Sequence, residues 1–174
     1  MNQTRKTLLI LLILFSVAGC DRATKILAMD KLSDSPPLSF LGDAIVLLYA
    51  ENTGAFLGFG SGFAESVKFL IFILLPILML CALLAFLFFS NKHSKSQIIG
   101  YSLVTGGGLG ILYDRIFRSG HVIDFINIGV GPVRTGIFNV ADAAILAGFI
   151  ILLYQLILNR YFILTHENIS APPD

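Results

Sequence analysis

The chain has 174 residues, of which 56% are hydrophobic and 13% are charged, and its formal net charge is +1. The length fits one domain, and a hydrophobic fraction this high, gathered into blocks, is typical of several membrane spans rather than of a soluble domain. The small net charge argues against a nucleic-acid surface, and the scattered cysteines and histidines argue against a disulfide framework or a zinc protease. We therefore expect no metal and no cofactor.

The first predicted element is a helix over about residues 7–28. The apolar run from Thr7 to Cys20 covers about 14 residues, or roughly 21 Å of helix, which is too short to cross about 30 Å of hydrocarbon. To span the membrane, the helix must continue through Asp21 and Lys25. These two charges stand four residues apart and can pair on one helix face, so a polar stripe there is expected to turn towards other helices.

A different interpretation of the same stretch stays open. Arg5 and Lys6, the apolar run and the sequence VAGC ending at Cys20 resemble a bacterial lipoprotein signal. The chain would then be a non-catalytic membrane lipoprotein or scaffold anchored through Cys20. Lys25 is also a candidate base for a serine nucleophile, but no serine stands out as its partner.

Two segments between the spans predict short strands. The first, about residues 30–66, contains SFLGDAIVLLYAENTGAFLGFG, which mixes β-branched and aromatic residues with glycine at turn positions. The second, about residues 117–137, contains HVIDFINIGVGPVRTG and predicts a further strand. We expect both segments to lie at the outer surface of the membrane.

Three further spans are predicted, at about residues 67–89, 98–116 and 138–160. The first of them is uncharged from 69 to 89 and contains Pro76, which predicts a kink, and the second is rich in glycine, which allows close helix packing. A disordered tail is predicted at about residues 166–174. The sequence thus predicts a single all-α integral membrane domain of four transmembrane helices with a small β-containing subdomain at the outer surface, which is the periplasmic surface if the chain is bacterial.

Basic residues predict the orientation of these helices. If both termini face the cytoplasm, five basic residues lie on the cytoplasmic side: Arg5, Lys6, Lys92, Lys95 and Arg160. Arg115, Arg118 and Arg134 fall on the opposite side and dilute the signal.

This topology places the unusual polar residues at one level, the outer membrane boundary. They are Asp21, Asn52, Asp114, Arg115, Asp124, Asn139 and Asp142. An ionisable group at membrane depth is costly and is by default a functional candidate. If Asp124 and Asp142 approach closely, the pair would share one proton: one carboxylate would take a proton from water, while the other would polarise the scissile carbonyl. Such aspartic-protease chemistry needs neither a metal nor a nucleophilic side chain.

Each of these residues also has a purely structural interpretation. Asn139 and Asp142 have the spacing of a helix N-cap and an acid in the first turn. Asp114 and Arg118 have the spacing of a helical ion pair, and Asp124 fits a solvated loop acid. A transport subunit is a further class, but the middles of three predicted spans carry no ionisable residue.

Five motifs, in chain order, closely resemble those of the bacterial lipoprotein signal peptidases, the signal peptidase II family. They are DRATK (21–25), NTGAFLGF (52–59), GGLGILYDR (107–115), VIDF (122–125) and FNVAD (138–142). Each motif is weak alone, but five in order on a chain of this size and predicted topology are a specific signal.

The resemblance implies an aspartyl endopeptidase of the bacterial inner membrane. It would cut prolipoproteins on the N-terminal side of a cysteine that carries diacylglycerol, with the surface strands cradling the substrate beside membrane lipid. The catalytic dyad implied is Asp124 and Asp142. The residues implied to bind substrate or support the site are Asn52, Gly54, Arg115, Asn139, Asp21, Lys25 and Asp114.

One position departs from the family pattern. The third motif usually has asparagine after its last glycine, whereas here Gly110 is followed by Ile111. An apolar side chain cannot supply the hydrogen bonds of an amide, so local substrate contacts are expected to differ, while both aspartates of the implied dyad are present.

Overall fold

The computed structural model describes residues 2–55, 58–90 and 93–170. Phe56 and Leu57 of the second motif lie outside the described residues, as does Lys92 of the orientation prediction. The elements in chain order are α1 (Gln3–Leu32), β1 (Leu38–Phe40), β2 (Ile45–Asn52), α2 (Glu65–Phe69), a π-helical turn (Leu70–Leu74), α3 (Leu75–Phe89), α4 (Lys95–Phe117), β3 (Val122–Val130), β4 (Val133–Arg134) and α5 (Val140–Ser170).

Helix α1 is one continuous helix that runs beyond the predicted 7–28 at both ends. It begins after Asn2, whose side chain accepts a hydrogen bond from the Arg5 N–H. It continues through Asp21 and Lys25, and its buried residues recur at helical spacing: Lys6, Ile10, Leu14, Asp21, Lys25, Ala28 and Leu32. One buried acid, Asp21, and two buried bases, Lys6 and Lys25, therefore lie on the same stripe as the apolar contacts.

The second membrane helix, Glu65–Phe89, consists of α2, the π-helical turn and α3. Pro76 lies in the first turn of α3, directly after the π-helical turn. Proline has no N–H to donate and its ring crowds the preceding turn, so a locally wider turn accommodates it within a long helix. Pro76 therefore acts on this helix through a local change of helical pitch.

Helix α4 lies at the centre of the bundle and packs against α1, α3 and α5. Its glycines face these neighbours at very short range. A Cβ at Gly107 would clash with the carbonyl oxygen of Ala141 in α5, and one at Gly108 would lie 2.7 Å from a methyl group of Leu80 in α3. The glycine run is therefore a packing feature that brings three helices close to α4.

Helix α5 extends further than predicted. The prediction ends it near 160, where hydropathy falls at Arg160, and expects a disordered tail from about 166; the helix instead includes residues 166–170. The physical reason is that no proline or glycine interrupts residues 161–170, so helical hydrogen bonding propagates past the apolar stretch. Residues 171–174 lie outside the described residues.

Within the described ranges, three helices are long and apolar enough to cross a membrane: Gln3–Leu32, Glu65–Phe89 and Val140–Arg160. The protein is thus a mostly helical, multi-pass membrane protein. Helix α4 falls outside this group because of its glycines and polar residues, so the predicted count of four spans is not established by composition and length.

The predicted strands form one antiparallel sheet with the order β1-β2-β3-β4. On one face of β3, Ile123 and Phe125 pack on Ala28 and Leu32 at the end of α1. Because side chains alternate along a strand, Val122 and Asp124 face the other way. The sheet therefore rests one face on the bundle and turns the other towards the site described next.

Candidate active site

Asp124 is positioned by the pairing of β2 with β3. The register pairs Ala50 with Asp124 and Asn52 with Val122, after an irregularity between Leu47 and Ala50. Asn52 and Asp124 therefore share a face, and the Asn52 Nδ2 donates a 3.1 Å hydrogen bond to Asp124 Oδ2. The Asp124 side chain is almost fully buried, so it is not the solvated loop acid of the alternative interpretation.

Asp142 is positioned by the first turn of α5. The Asn139 N–H donates to Asp142 Oδ2, and the Asp142 N–H donates to Asn139 Oδ1, both at 3.0 Å. This reciprocal pair is the helix cap that the spacing predicted. The cap does not compete with the catalytic interpretation, because it engages only one oxygen of the Asp142 carboxylate among the described contacts.

Asn139 joins the two aspartates directly. Besides capping Asp142, its Nδ2 donates to Asp124 Oδ1 at 2.6 Å and to the Ile123 carbonyl at 3.3 Å. Asn139 is fully buried, so its amide is held in one orientation. One side chain thus connects strand β3 to the start of α5 at the two acids.

Both aspartates line one cavity of about 180 Å³. Its other walls are Asn52, Gly54, Ala55, Phe72, Pro76, Ile111, Arg115, Val122 and Ile137. Ile111, the residue that departs from the family pattern, therefore faces the same space as the two acids. A larger cavity of about 530 Å³ shares Phe72 and Arg115 with it but is not lined by either aspartate.

The environment of Asp124 changes its protonation. Burial, and after it the charge of Asp142, raises the pKa of Asp124 from 3.8 to about 6. Hydrogen bonds from Asn52 and Asn139 and the charge of Lys25 oppose this increase. A carboxyl that holds a proton at mildly acidic pH beside a second carboxyl is the arrangement that shared-proton acid–base chemistry needs.

Arg115 is buried and secures the loop around the site. Its guanidinium donates to the backbone carbonyls of Asn52, at 3.1 Å, and of Gly54 and Gly120. Gly54 fits here because a Cβ would lie 2.5 Å from the Gly58 carbonyl oxygen. The predicted residues Asn52, Gly54 and Arg115 thus form one unit at the cavity wall.

The remaining predicted residues, Asp21, Lys25 and Asp114, form a buried ionic cluster that does not line the cavity. Lys25 Nζ lies 2.8 Å from a carboxylate oxygen of each aspartate. Asp114 also lies 3.4 Å from Arg118 Nε, so the predicted helical ion pair is present as well. In the part of the chain that the structure describes, no group of three or more His, Cys, Asp or Glu is placed to hold a metal ion.

Comparison with known proteins identifies the family. The family model described as signal peptidase (SPase) II matches residues 13–158, which include every residue of the cavity. The chain belongs to the signal peptidase II family. Family members are peptidases, and the non-catalytic alternative is not favoured; Cys20 is an exposed free cysteine within the continuous helix α1.

Curated relatives and a solved structure extend this result. A lipoprotein signal peptidase of Treponema denticola is 35% identical over 149 residues, covering 83% of this chain and 86% of the relative. One from Mycobacterium avium is 30% identical over 155 residues, covering 85% and 78%. A solved bacterial membrane enzyme superposes with a TM-score of 0.76 at 26% identity, covering 87% of this chain and 88% of that one.

Several cavity residues were not predicted from the sequence. Phe72 and Pro76 belong to an uncharged run in which any apolar residue fits equally well, and Ile137 precedes the last motif. The π-helical turn decides which side chains of that run face the cavity, and apart from Pro76 no sequence pattern indicated it. Pro76 was the one available signal, because a proline inside a helix requires a local irregularity.

Proposed function

We propose that this signal peptidase II is a membrane aspartyl endopeptidase that removes the signal peptide from diacylglyceryl-modified prolipoproteins. Cleavage is on the N-terminal side of the lipidated cysteine, with Asp124 and Asp142 as the catalytic residues. The single observation that carries this proposal is that both aspartates line one cavity and are bridged by the buried Asn139 amide.

The chemistry follows from a pair of carboxyl groups that shares one proton. The ionised carboxylate takes a proton from water, and the water oxygen attacks the scissile carbonyl carbon. The protonated carboxyl donates to the carbonyl oxygen as it gains charge. When the tetrahedral intermediate collapses, the C–N bond breaks and the carboxyl that took the water proton gives it to the leaving amine of the cysteine. The hydroxyl formed from the carbonyl oxygen returns its proton to the other carboxylate, so the pair again holds one proton. These reaction steps use no metal, cofactor or nucleophilic side chain.

The proposed substrate suits the position of the site. Drawing acyl chains from the bilayer costs about 0.8 kcal/mol per CH₂, so a protease acting at the membrane surface avoids that cost. Phe72, Pro76, Ile111 and Ile137 give the cavity apolar walls next to its acids. Such walls suit small apolar residues at the end of a signal peptide, close to membrane lipid.

We further propose a topology of four spans in one domain, with α4 as the fourth. Helix α4 has 23 residues, or about 34 Å, and packs against the three more apolar helices. An even number of spans places both termini on one side, which basic residues identify as the cytoplasm. The sheet and the dyad then lie at the periplasmic side of the bacterial inner membrane.

The proposal is tested with a synthetic diacylglyceryl-modified peptide that carries a lipobox. The wild-type protein is expected to release one product whose N-terminal residue is the lipidated cysteine, identified by mass spectrometry. The same peptide without lipid is expected to be cut at least about tenfold more slowly, because binding energy from the acyl chains is lost. Asp142→Asn, purified in the same way, is the matched inactive control.

Two outcomes would contradict the proposal. One is equal turnover of the lipidated and unlipidated peptides, which would mean that the enzyme does not recognise the lipid. The other is cleavage at a bond not adjacent to the cysteine. Turnover of the variant Ile111→Asn, compared with the wild type in the same assay, shows how the departure from the family pattern affects cleavage.

A further inference from the structure

Lys25 is a buried cation for which the proposed chemistry has no use. It is fully buried, and its Nζ lies 2.8 Å from Asp21 Oδ2 and 2.8 Å from Asp114 Oδ2. Taking three charges out of water is costly, and a buried ion pair often stabilises a fold no more than packed apolar residues would. The presence of Lys25 beside the site therefore points to a role other than stabilising the fold.

Each carboxylate held by Lys25 also accepts a backbone hydrogen bond. Asp21 Oδ1 accepts from the Ala141 N–H at 3.0 Å, and Asp114 Oδ2 accepts from the Ile123 N–H at 3.4 Å. Ala141 immediately precedes Asp142, and Ile123 immediately precedes Asp124. The two backbone contacts therefore lie one residue away from the two catalytic aspartates.

We infer that Lys25 is a positioning residue that sets the separation of the two catalytic carboxyls, acting through Asp21 and Asp114 on the backbone before each of them. This inference rests on the proposed function. Lys25 links α1 to α4 and, through the two carboxylates, holds the start of α5 and strand β3 in one fixed relation.

Close packing around the cluster supports a fixed geometry. A Cβ at Gly110 would lie 2.7 Å from Asp21 Oδ2, so glycine at this position leaves room for the carboxylate. Displacing catalytic groups by about 1 Å can reduce turnover by roughly 100-fold. A bridge that controls the positions of both carboxyls therefore acts mainly on kcat and little on substrate binding.

The central experiment compares two variants in the lipidated-peptide assay. Asp21→Asn keeps an oxygen that can accept from the Ala141 N–H and leaves Lys25 paired with Asp114. In that variant the asparagine Nδ2 faces Lys25 Nζ, and because both are donors only the Asp114 half of the bridge is left. Lys25→Met combined with Asp21→Asn removes that half as well and, relative to the wild type, takes away one positive and one negative charge together. Asp114 still has Arg118 nearby in both variants, so neither leaves a buried carboxylate without a cation.

The expected result is that the double variant loses about 100-fold in kcat relative to the wild type, and more than Asp21→Asn loses, with KM changed by less than about threefold. A folded double variant whose kcat stays within about threefold of that of the wild type would overturn the inference. A loss that appears in KM alone would overturn it equally.

If the double variant does not fold, Asp21→Leu is compared with Asp21→Asn. Both remove the same charge, but only asparagine keeps an acceptor for Ala141. The inference requires a kcat at least about tenfold higher for Asp21→Asn, and equal values would overturn it.

Lys6 provides the matched control. It is also a buried lysine of α1, but it donates to the carbonyls of Phe88 and Ser90 at the opposite end of the bundle. Lys6→Met is expected to lower stability and leave kcat per folded molecule unchanged. If the wild-type protein does not cut the peptide, the proposed function fails; if it cuts but the Lys25 variants match it, only this inference fails.

Discussion

The two catalytic candidates are held by different kinds of contact. Both oxygens of Asp124 accept hydrogen bonds from side-chain amides, those of Asn139 and Asn52, at 2.6 and 3.1 Å. One oxygen of Asp142 accepts from the backbone N–H that it caps. The sequence predicted both aspartates and also predicted the cap, and the two interpretations describe the same geometry.

The raised pKa of Asp124 predicts how stability depends on pH. The folded protein binds the Asp124 proton more tightly than the unfolded chain does, so this proton increases the free energy of unfolding. Its contribution is fully present below about pH 4. It is lost as the pH rises through about 6, and the total change is about 3 kcal/mol. Asp124→Asn stays neutral and avoids this loss. Thermal unfolding in detergent between pH 4 and 7.5 is therefore expected to favour the variant increasingly as the pH rises. Parallel curves for the two proteins would contradict the burial effect.

Asn139 has two roles that substitution can separate. Asn139→Ala removes both the cap and the bond to Asp124, with an expected stability loss of about 1 kcal/mol from the cap alone. Asn139→Ser restores a capping oxygen but cannot reach Asp124. Serine is therefore expected to recover the stability, while kcat stays about 10- to 100-fold low in both variants. Thermal unfolding and steady-state kinetics, measured on the same samples, distinguish the two roles. Recovery of kcat in Asn139→Ser would contradict the bridging role.

At the scale of elements, helix α4 positions the start of α5. Gly107 lies so close to Ala141 and Ile145 that an added Cβ would force the two helices apart. Gly107→Ala is thus expected to cost about 1–3 kcal/mol of stability and to lower kcat, because Asp142 follows Ala141 directly. Gly19→Ala is the matched control, since a Cβ at Gly19 would meet nothing within 4 Å. Equal effects of the two variants on unfolding temperature would contradict the packing account.

The limits of sequence reasoning are clear at this scale. Hydropathy and motif order predicted the helical segments, the strands and the polar residues that line or adjoin the cavity. The register of β2 on β3 was not predictable, because an irregularity between Leu47 and Ala50 decides that Asn52 faces Asp124. The contact of Asp21 with the Ala141 N–H joins residues 120 positions apart and depends on the close approach that glycine in α4 permits.

At the scale of the whole molecule, the bundle and the sheet together build the site. The buried ionic cluster comes from α1 and α4. Helix α4 and the second membrane helix also contribute cavity walls, and β3 and α5 each contribute one aspartate. The match to the signal peptidase II model, over residues 13–158, includes part or all of each of these elements. The candidate site therefore draws its residues from elements spread along most of the chain.

The most direct test of the central claim is the kcat of Asp124→Asn, Asp142→Asn and the double variant on the lipidated peptide. Two carboxyls that share one proton act as a unit, so their losses are not additive. We predict that each single variant loses essentially all turnover while remaining folded, and that the double variant is no worse than either. Retained turnover in one single variant, or losses that multiply in the double variant, would contradict the account.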